Sequence, residues 1–202
     1  MKFISHLDIM RLWERAMRRA DLPLMYSEGF TPHPRLSLAA PLSVGITSDA
    51  ELMDAYFGGQ ISPQYMLIQI DRQIPAGISI HDIWTVGMEM PSLQAQVRFA
   101  EYMVTLEPIK GKTSADIEQA ITNMLAAKEI PWQHIRDTSI RTYDLRSLIN
   151  DLTLTEYSDE RTIISMRLRC DPGGSGRPDQ IIKALGFSQR PRAIHRTALI
   201  FN

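Results

Sequence analysis

The sequence predicts an α+β protein of two tandem units, each built in the order β-α-β-β-α-β. Three observations predict it: amphipathic helical stretches alternate with short extended apolar runs, that order reads twice along the chain, and Met88-Glu89-Met90-Pro91-Ser92 interrupts the periodic segments between the two readings. This is the split βαβ pattern of ferredoxin-like domains. The expected units are 1–90 and 91–202, each of ordinary domain size.

The first unit opens with a short strand at 2–4. It is too short for a good core strand. A helix follows over 5–20, with Ser5 as N-cap and Asp8 three residues on, a capping-box spacing. Ile9, Leu12, Trp13, Ala16, Met17 and Ala20 recur at three- and four-residue intervals and form its buried stripe. Arg11, Arg15 and Arg18 share the opposite face, with Arg19 beside them. Apolar segments at 35–40 and 51–58, a helix over 63–72 and a strand over 78–86 complete this unit. In the second, strands are expected at 98–106 and 162–170, helices at 114–128 and 178–185, a mostly extended stretch at 140–155 and a last strand at 193–201. Residues 143–150 fit a helical turn equally well.

Composition narrows the function classes. The chain has 202 residues, 44% of them apolar, which suffices for one large core or two small ones. No run approaches the ~20 apolar residues of a membrane helix, and no signal-peptide core follows Met1, so the expectation is a cytoplasmic protein without membrane attachment. Cys170 is the single cysteine, which excludes a disulfide framework and a cysteine-held zinc or iron–sulfur site within the chain. It reads as a small buried residue ending a strand. His81, His134 and His195 are too scattered to suggest a metal site, so no metal and no resident cofactor is expected.

The net charge of -1 hides an asymmetry. Residues 1–35 carry six basic and four acidic side chains, 36–159 carry eight and sixteen, and 160–202 carry eight and three. A polyanion partner would be held by the two basic ends.

Four constellations carry the candidate chemistry. His6 near the helix start, with Asp8, reads either as an acid/base pair for phosphodiester cleavage or as a residue beside a capping aspartate. The turn Gly29-Phe30-Thr31-Pro32-His33-Pro34-Arg35 holds His33 between two prolines, where it either binds an anion or planar base beside Arg35 or packs on Phe30 or Tyr26. Arg11, Arg15, Arg18 and Arg19 either grip phosphates or form a solvated face with Glu14 and Asp21. Gly173-Gly174-Ser175-Gly176 leads into Arg177-Pro178, as an anion cradle at a helix start or as a plain turn, with Arg167, Arg169, Arg190, Arg192 and Arg196 as basic neighbours. Neither the P-loop nor the dinucleotide fingerprint is met there.

The run Phe3-Ile4-Ser5-His6-Leu7-Asp8, Met10-Arg11, Arg18-Arg19-Ala20, Leu22-Pro23 and Tyr26-Ser27-Glu28-Gly29-Phe30 resembles the DUF2344 family, also called radical SAM-linked proteins. The likeness continues through Pro32-His33-Pro34-Arg35, Ala40-Pro41-Leu42 and Val44-Gly45, and returns at Gly173-Gly174-Ser175, Arg177-Pro178 and Arg196-Thr197. Members stand beside, or are fused to, a radical S-adenosylmethionine protein, so the resemblance implies such a partner. Members usually carry a further basic strand before the segment matching 2–4, which puts the completeness of the first sheet and of the N-terminus in question. The doubled architecture is also similar to that of CRISPR repeat-associated endoribonucleases, an analogy of fold alone.

The expectation is a noncatalytic accessory that presents the partner's substrate, RNA or an RNA-bound component, through His6, Arg11, Arg15, Tyr26, Phe30, His33, Arg35, Gly173, Gly174, Ser175, Arg177 and Arg196. The alternatives are a metal-independent endoribonuclease with His6 or His33 as base, and a pure protein-docking module.

Overall fold

The structure, a computed structural model, describes residues 2–108, 111–136 and 139–201, with backbone alone at 134–136 and 139. It is an α+β chain of two compact units. The first comprises Met1–Gly45 and Glu51–Gln94, the second Ile46–Ala50 and Ala95–Asn202. The expected single cut after residue 90 thus becomes a division after Gln94, with a five-residue excursion of the early chain into the second unit.

In the first unit, helix α1 (His6–Arg19) is capped by Ser5, whose Oγ accepts from the Asp8 amide at 3.2 Å. The Asp8 carboxylate takes the Ser5 hydroxyl at 2.6 Å, so the reciprocal box expected there is a single cap. The helix ends in a Schellman turn: the Asp21 amide donates to the Arg18 carbonyl and the Leu22 amide to that of Met17, with Asp21 at φ 54°. The predicted stripe faces the core, where Ala16, Met17 and Ala20 meet Leu22, Leu24, Leu36, Met66 and Ile70. Strand β1 (Leu36–Leu38) pairs antiparallel with β3 (Met53–Ala55), while β2 (Thr47–Ser48) belongs to the second unit. Helix α2 (Pro63–Asp71) starts on a Ser62 cap.

The β-α-β-β-α-β order is not completed in this unit. Residues 2–4 begin in a turn and 78–86 form no strand. Ile80 and Ile83 pack against the core as separate side chains without a ladder, and that burial gave 78–86 the appearance of a strand.

The second unit, after the single turn α3 (Leu93–Gln96), contains β4 (Val97–Leu106), α4 (Ser114–Ala126), the hairpin β5 (Pro131–Arg136) and β6 (Ser139–Asp144), and a 3-10 turn at Arg146–Leu148. Then come β7 (Ile149–Tyr157), β8 (Thr162–Asp171), β9 (Gly174–Ser175), α5 (Pro178–Ala184) and β10 (Ala193–Phe201). The main sheet runs β2-β10-β4-β8-β7, with β9 hydrogen-bonded to β8. Its pairs are antiparallel except β2, which lies parallel to β10. Leaving out β2, the first and third strands of the pattern, β4 and β8, sit at the centre with the fourth and second outside. That is the split βαβ connectivity.

Register puts Ala100, Tyr102 and Val104 opposite Leu168, Met166 and Ile164, all buried. Ile117 and Ile121 of α4 and Ile181 and Ile182 of α5 are buried as well, each large side chain contributing about 1.5–3 kcal/mol. Among the described residues no helix is long and apolar enough to cross a membrane.

Candidate functional site: an arginine-lined groove on the first helix

The four-residue spacing of Arg11, Arg15 and Arg19 sets their heads in one row along α1. That row lines a groove of about 420 Å3, together with Ile4, Asp8, Leu12 and the Gln73, Ile74 and Pro75 turn that follows α2. Arg18, expected on the same face, lies outside it. Arg19 Nη2 donates to the Gln73 carbonyl at 2.7 Å, which ties the helix to the opposite wall. Arg11 lies 3.6 Å from the Asp8 carboxylate in an exposed pair of little energetic weight. Arg15 makes no hydrogen bond or ion pair among the described residues. One wall of the groove is therefore cationic, with an uncommitted guanidinium at its middle, and Ile4, Leu12, Ile74 and Pro75 supply an apolar floor.

The proline-framed turn stands on the neighbouring face of α1. Tyr26 and Pro34 form a β-bridge, the Ser27 amide donates to the His33 carbonyl at 2.8 Å, and the His33 amide donates to Ser27 Oγ at 3.0 Å. The Tyr26 hydroxyl donates to Glu14 of α1 at 3.2 Å, so the base of this hairpin is anchored to the helix. Burial, and then the adjacent Glu14 charge, raise the Tyr26 pKa above the usual phenol value. Gly29, at φ 120°, permits the tip, and Phe30 stands fully exposed there. The ring of His33 is at the surface, while Arg35 lies over the Tyr56 ring at 4.1 Å.

His6 is exposed at the start of α1, and Asp8 engages Ser5 and Arg11. Among the described residues no hydrogen bond joins His6 or His33 to a carboxylate.

The glycine-rich segment is a packed turn. Gly173 donates its amide to Asp171 Oδ1 at 2.7 Å and Gly176 donates to the Arg169 carbonyl at 2.8 Å. Added Cβ atoms would meet the Arg169 guanidinium at Gly173, Leu148 Cδ2 at 2.8 Å at Gly174, and Leu168 Cβ at 2.9 Å at Gly176. The glycines serve close approach, and two of the amides an anion would use are already bonded. Ser175 and Arg177 are exposed, and Arg177 caps α5 without a side-chain bond. Arg196 is 3% exposed, inside the second unit and 5.6 Å from the Tyr102 ring centre.

Sequence reasoning missed two features. Gln73-Ile74-Pro75 announces a helix end but not the arginines it faces. His195, set aside as too scattered from the other histidines to hold a metal, shares a hydrogen bond between Nδ1 and the Thr47 hydroxyl (2.8 Å) and another between Nε2 and Asp49 (3.1 Å), pinning β2 to β10. Among the described residues no group of three or more His, Cys, Asp or Glu side chains is placed to hold a metal.

Fold and groove together define an α+β protein with a basic, partly apolar groove on its first helix. A family model described as "Uncharacterized protein conserved in bacteria (DUF2344)" matches residues 1–178, and the chain belongs to that family. None of the curated proteins compared with it matches. Among solved structures it is similar to a chain of "Crystal Structure of a Cbf5-Nop10-Gar1 Complex", at 11% identity and a TM-score of 0.53, covering 98% of this chain and 46% of that one. A chain of "Crystal structure of the archaeal box H/ACA sRNP Nop10-Cbf5 complex" matches at 8% identity and a TM-score of 0.48, over 97% and 44%. The protein thus spans about half the length of the solved chains it matches, and at such identities the likeness concerns the fold alone.

Proposed function

We propose that this protein is a noncatalytic, cytoplasmic accessory of a radical SAM enzyme, holding that enzyme's RNA or RNA-bound substrate by a phosphate in the arginine groove of α1. The partner follows from the resemblance to radical SAM-linked proteins. The observation that carries the RNA reading is Arg15, a guanidinium that makes no hydrogen bond or ion pair among the described residues and stands between Arg11 and Arg19. A planar fork left free in a basic groove is suited to bidentate contact with a phosphate.

The test is fluorescence anisotropy of a labelled single-stranded RNA at low salt. Arg15→Glu is expected to lower affinity about tenfold and to reduce the salt slope by about 0.7, the share of one phosphate contact on a single strand. Unchanged affinity would remove the groove from the reading.

Phe30, bare at the tip of its hairpin, favours a second reading in which residues 29–35 dock the enzyme partner. Phe30→Ala should then abolish co-purification with the radical SAM protein and leave RNA affinity intact. Retained co-purification counts against docking at this tip.

A further inference from the structure

We infer that the groove takes a single nucleotide, with its phosphate on Arg15 and its base laid against Leu12, Ile74 and Pro75. This rests on the proposed RNA reading and adds what is recognised.

Size is the first argument. At about 420 Å3 the groove falls within the range of roughly 300–1,000 Å3 typical of small-ligand sites, enough for one nucleotide and too small for a duplex. The division of its lining is the second. An inorganic anion would use only the arginine wall and leave the Ile4, Leu12, Ile74 and Pro75 floor wet. An uncharged ring would cover the floor and leave Arg15 unanswered. A ligand that is planar at one end and anionic at the other satisfies both, since guanidinium planes stack on bases and apolar side chains line pockets that hold a single base.

The third argument is the commitment of the neighbours. Arg19 spends one nitrogen on the Gln73 carbonyl, so it acts mainly as wall, while Arg15 keeps its whole fork for the phosphate. Asp8 lines the groove beside Arg11 and adds a negative charge, which opposes a second phosphate alongside the first. The arrangement therefore selects one phosphate with its base over a run of phosphates.

The experiment is calorimetric titration of the full chain with adenosine 5′-monophosphate, adenosine and inorganic phosphate, on the wild type, Arg15→Ala and Arg18→Ala. Arg15 and Arg18 are both exposed, and Arg18 lies outside the groove, so it serves as the control. The monophosphate should bind at least about tenfold more tightly than adenosine or phosphate, the scale of one charge-assisted contact. Arg15→Ala should bring it down to the level of adenosine, and Arg18→Ala should leave it unchanged. Phosphate binding as tightly as the nucleotide would reduce the groove to an anion site and overturn the inference, as would a nucleotide indifferent to Arg15→Ala. If RNA needs Arg15 but the mononucleotide does not bind, this inference fails and the proposed function stands. If neither binds, both fail.

Discussion

Arginines recur both on the first helix and through the last third of the chain, yet their heads meet different company. In the second unit Arg167 grips Glu101 across the sheet at 2.6 Å, Arg169 holds Asp171 at 2.7 Å, and Arg161 holds Glu156 at 2.7 Å. Arg146 spends three nitrogens on the Leu125 and Ile149 carbonyls, and Arg196 is buried near Tyr102. On α1, by contrast, Arg11 has one loose exposed pair, Arg19 one carbonyl, and Arg15 no such partner among the described residues. Basic density alone therefore does not mark a binding face. Arg177 is likewise exposed and without an ion pair among the described residues, so what sets Arg15 apart is an unspent donor that also lines a concave surface.

The largest effect expected from disturbing the spent side is at Gly176. A methyl there meets Leu168 Cβ at 2.9 Å and the Leu148 carbonyl oxygen at 3.0 Å, neither of which is the free end of a flexible chain. Gly176→Ala should cost about 1–3 kcal/mol of stability, read as a lower urea midpoint. Gly173→Ala meets the ends of two side chains, the Arg169 head and the Asp171 carboxylate, which can give more readily than backbone, so its cost should be smaller. Equal costs at the two sites would show that the turn is not held by the packing described.

Acid sharpens the same contrast. The Arg169 guanidinium, followed by the Gly173 and Gly174 amides, holds the Asp171 carboxyl below the usual carboxylate range. A carboxyl with a depressed folded-state pKa contributes stability that is present above its unfolded value and is lost as pH falls through the folded one. The advantage of wild type over Asp171→Asn in urea unfolding should therefore shrink as pH falls from about 5 to about 3. An advantage that held constant over that window would mean the charge contributes nothing.

Much of the second unit was legible because its signals are local. The amphipathic patterns of α4 and α5 and the alternating apolar positions of β4, β8 and β10 needed no distant partner to be read. β2 was not legible: two residues pair with a strand 148 positions away, and nothing in Thr47-Ser48 announces it. Nor did the sequence distinguish apolar residues 78–86, which dock side chains singly, from a strand that pairs. At the site, the spacing of Arg11 and Arg15 was visible. The facing turn at Gln73 and the internal use of Arg169 and Arg196 were not, since both depend on what the fold brings close.

The smallest effect separates the helix that carries the groove from the arginines it carries. α1 and α5 end in the same pair of hydrogen bonds: Asp21 and Leu22 donate to Arg18 and Met17, and Gly186 and Phe187 donate to Lys183 and Ile182. The residue in the left-handed position is aspartate at φ 54° in one and glycine at φ 84° in the other. Glycine takes that conformation without the Cβ penalty that aspartate bears. Asp21→Gly should therefore raise stability by about 0.5 kcal/mol, and Gly186→Asp, whose new Cβ would meet Lys112 Nζ at an ordinary 3.8 Å, should lower it by about 1 kcal/mol. Asp21→Gly also leaves Arg11, Arg15 and Arg19 in place, so it should not change RNA affinity. If stabilising the helix end altered that affinity as much as Arg15→Glu does, the order of α1, and not its uncommitted guanidinium, would be what the ligand senses.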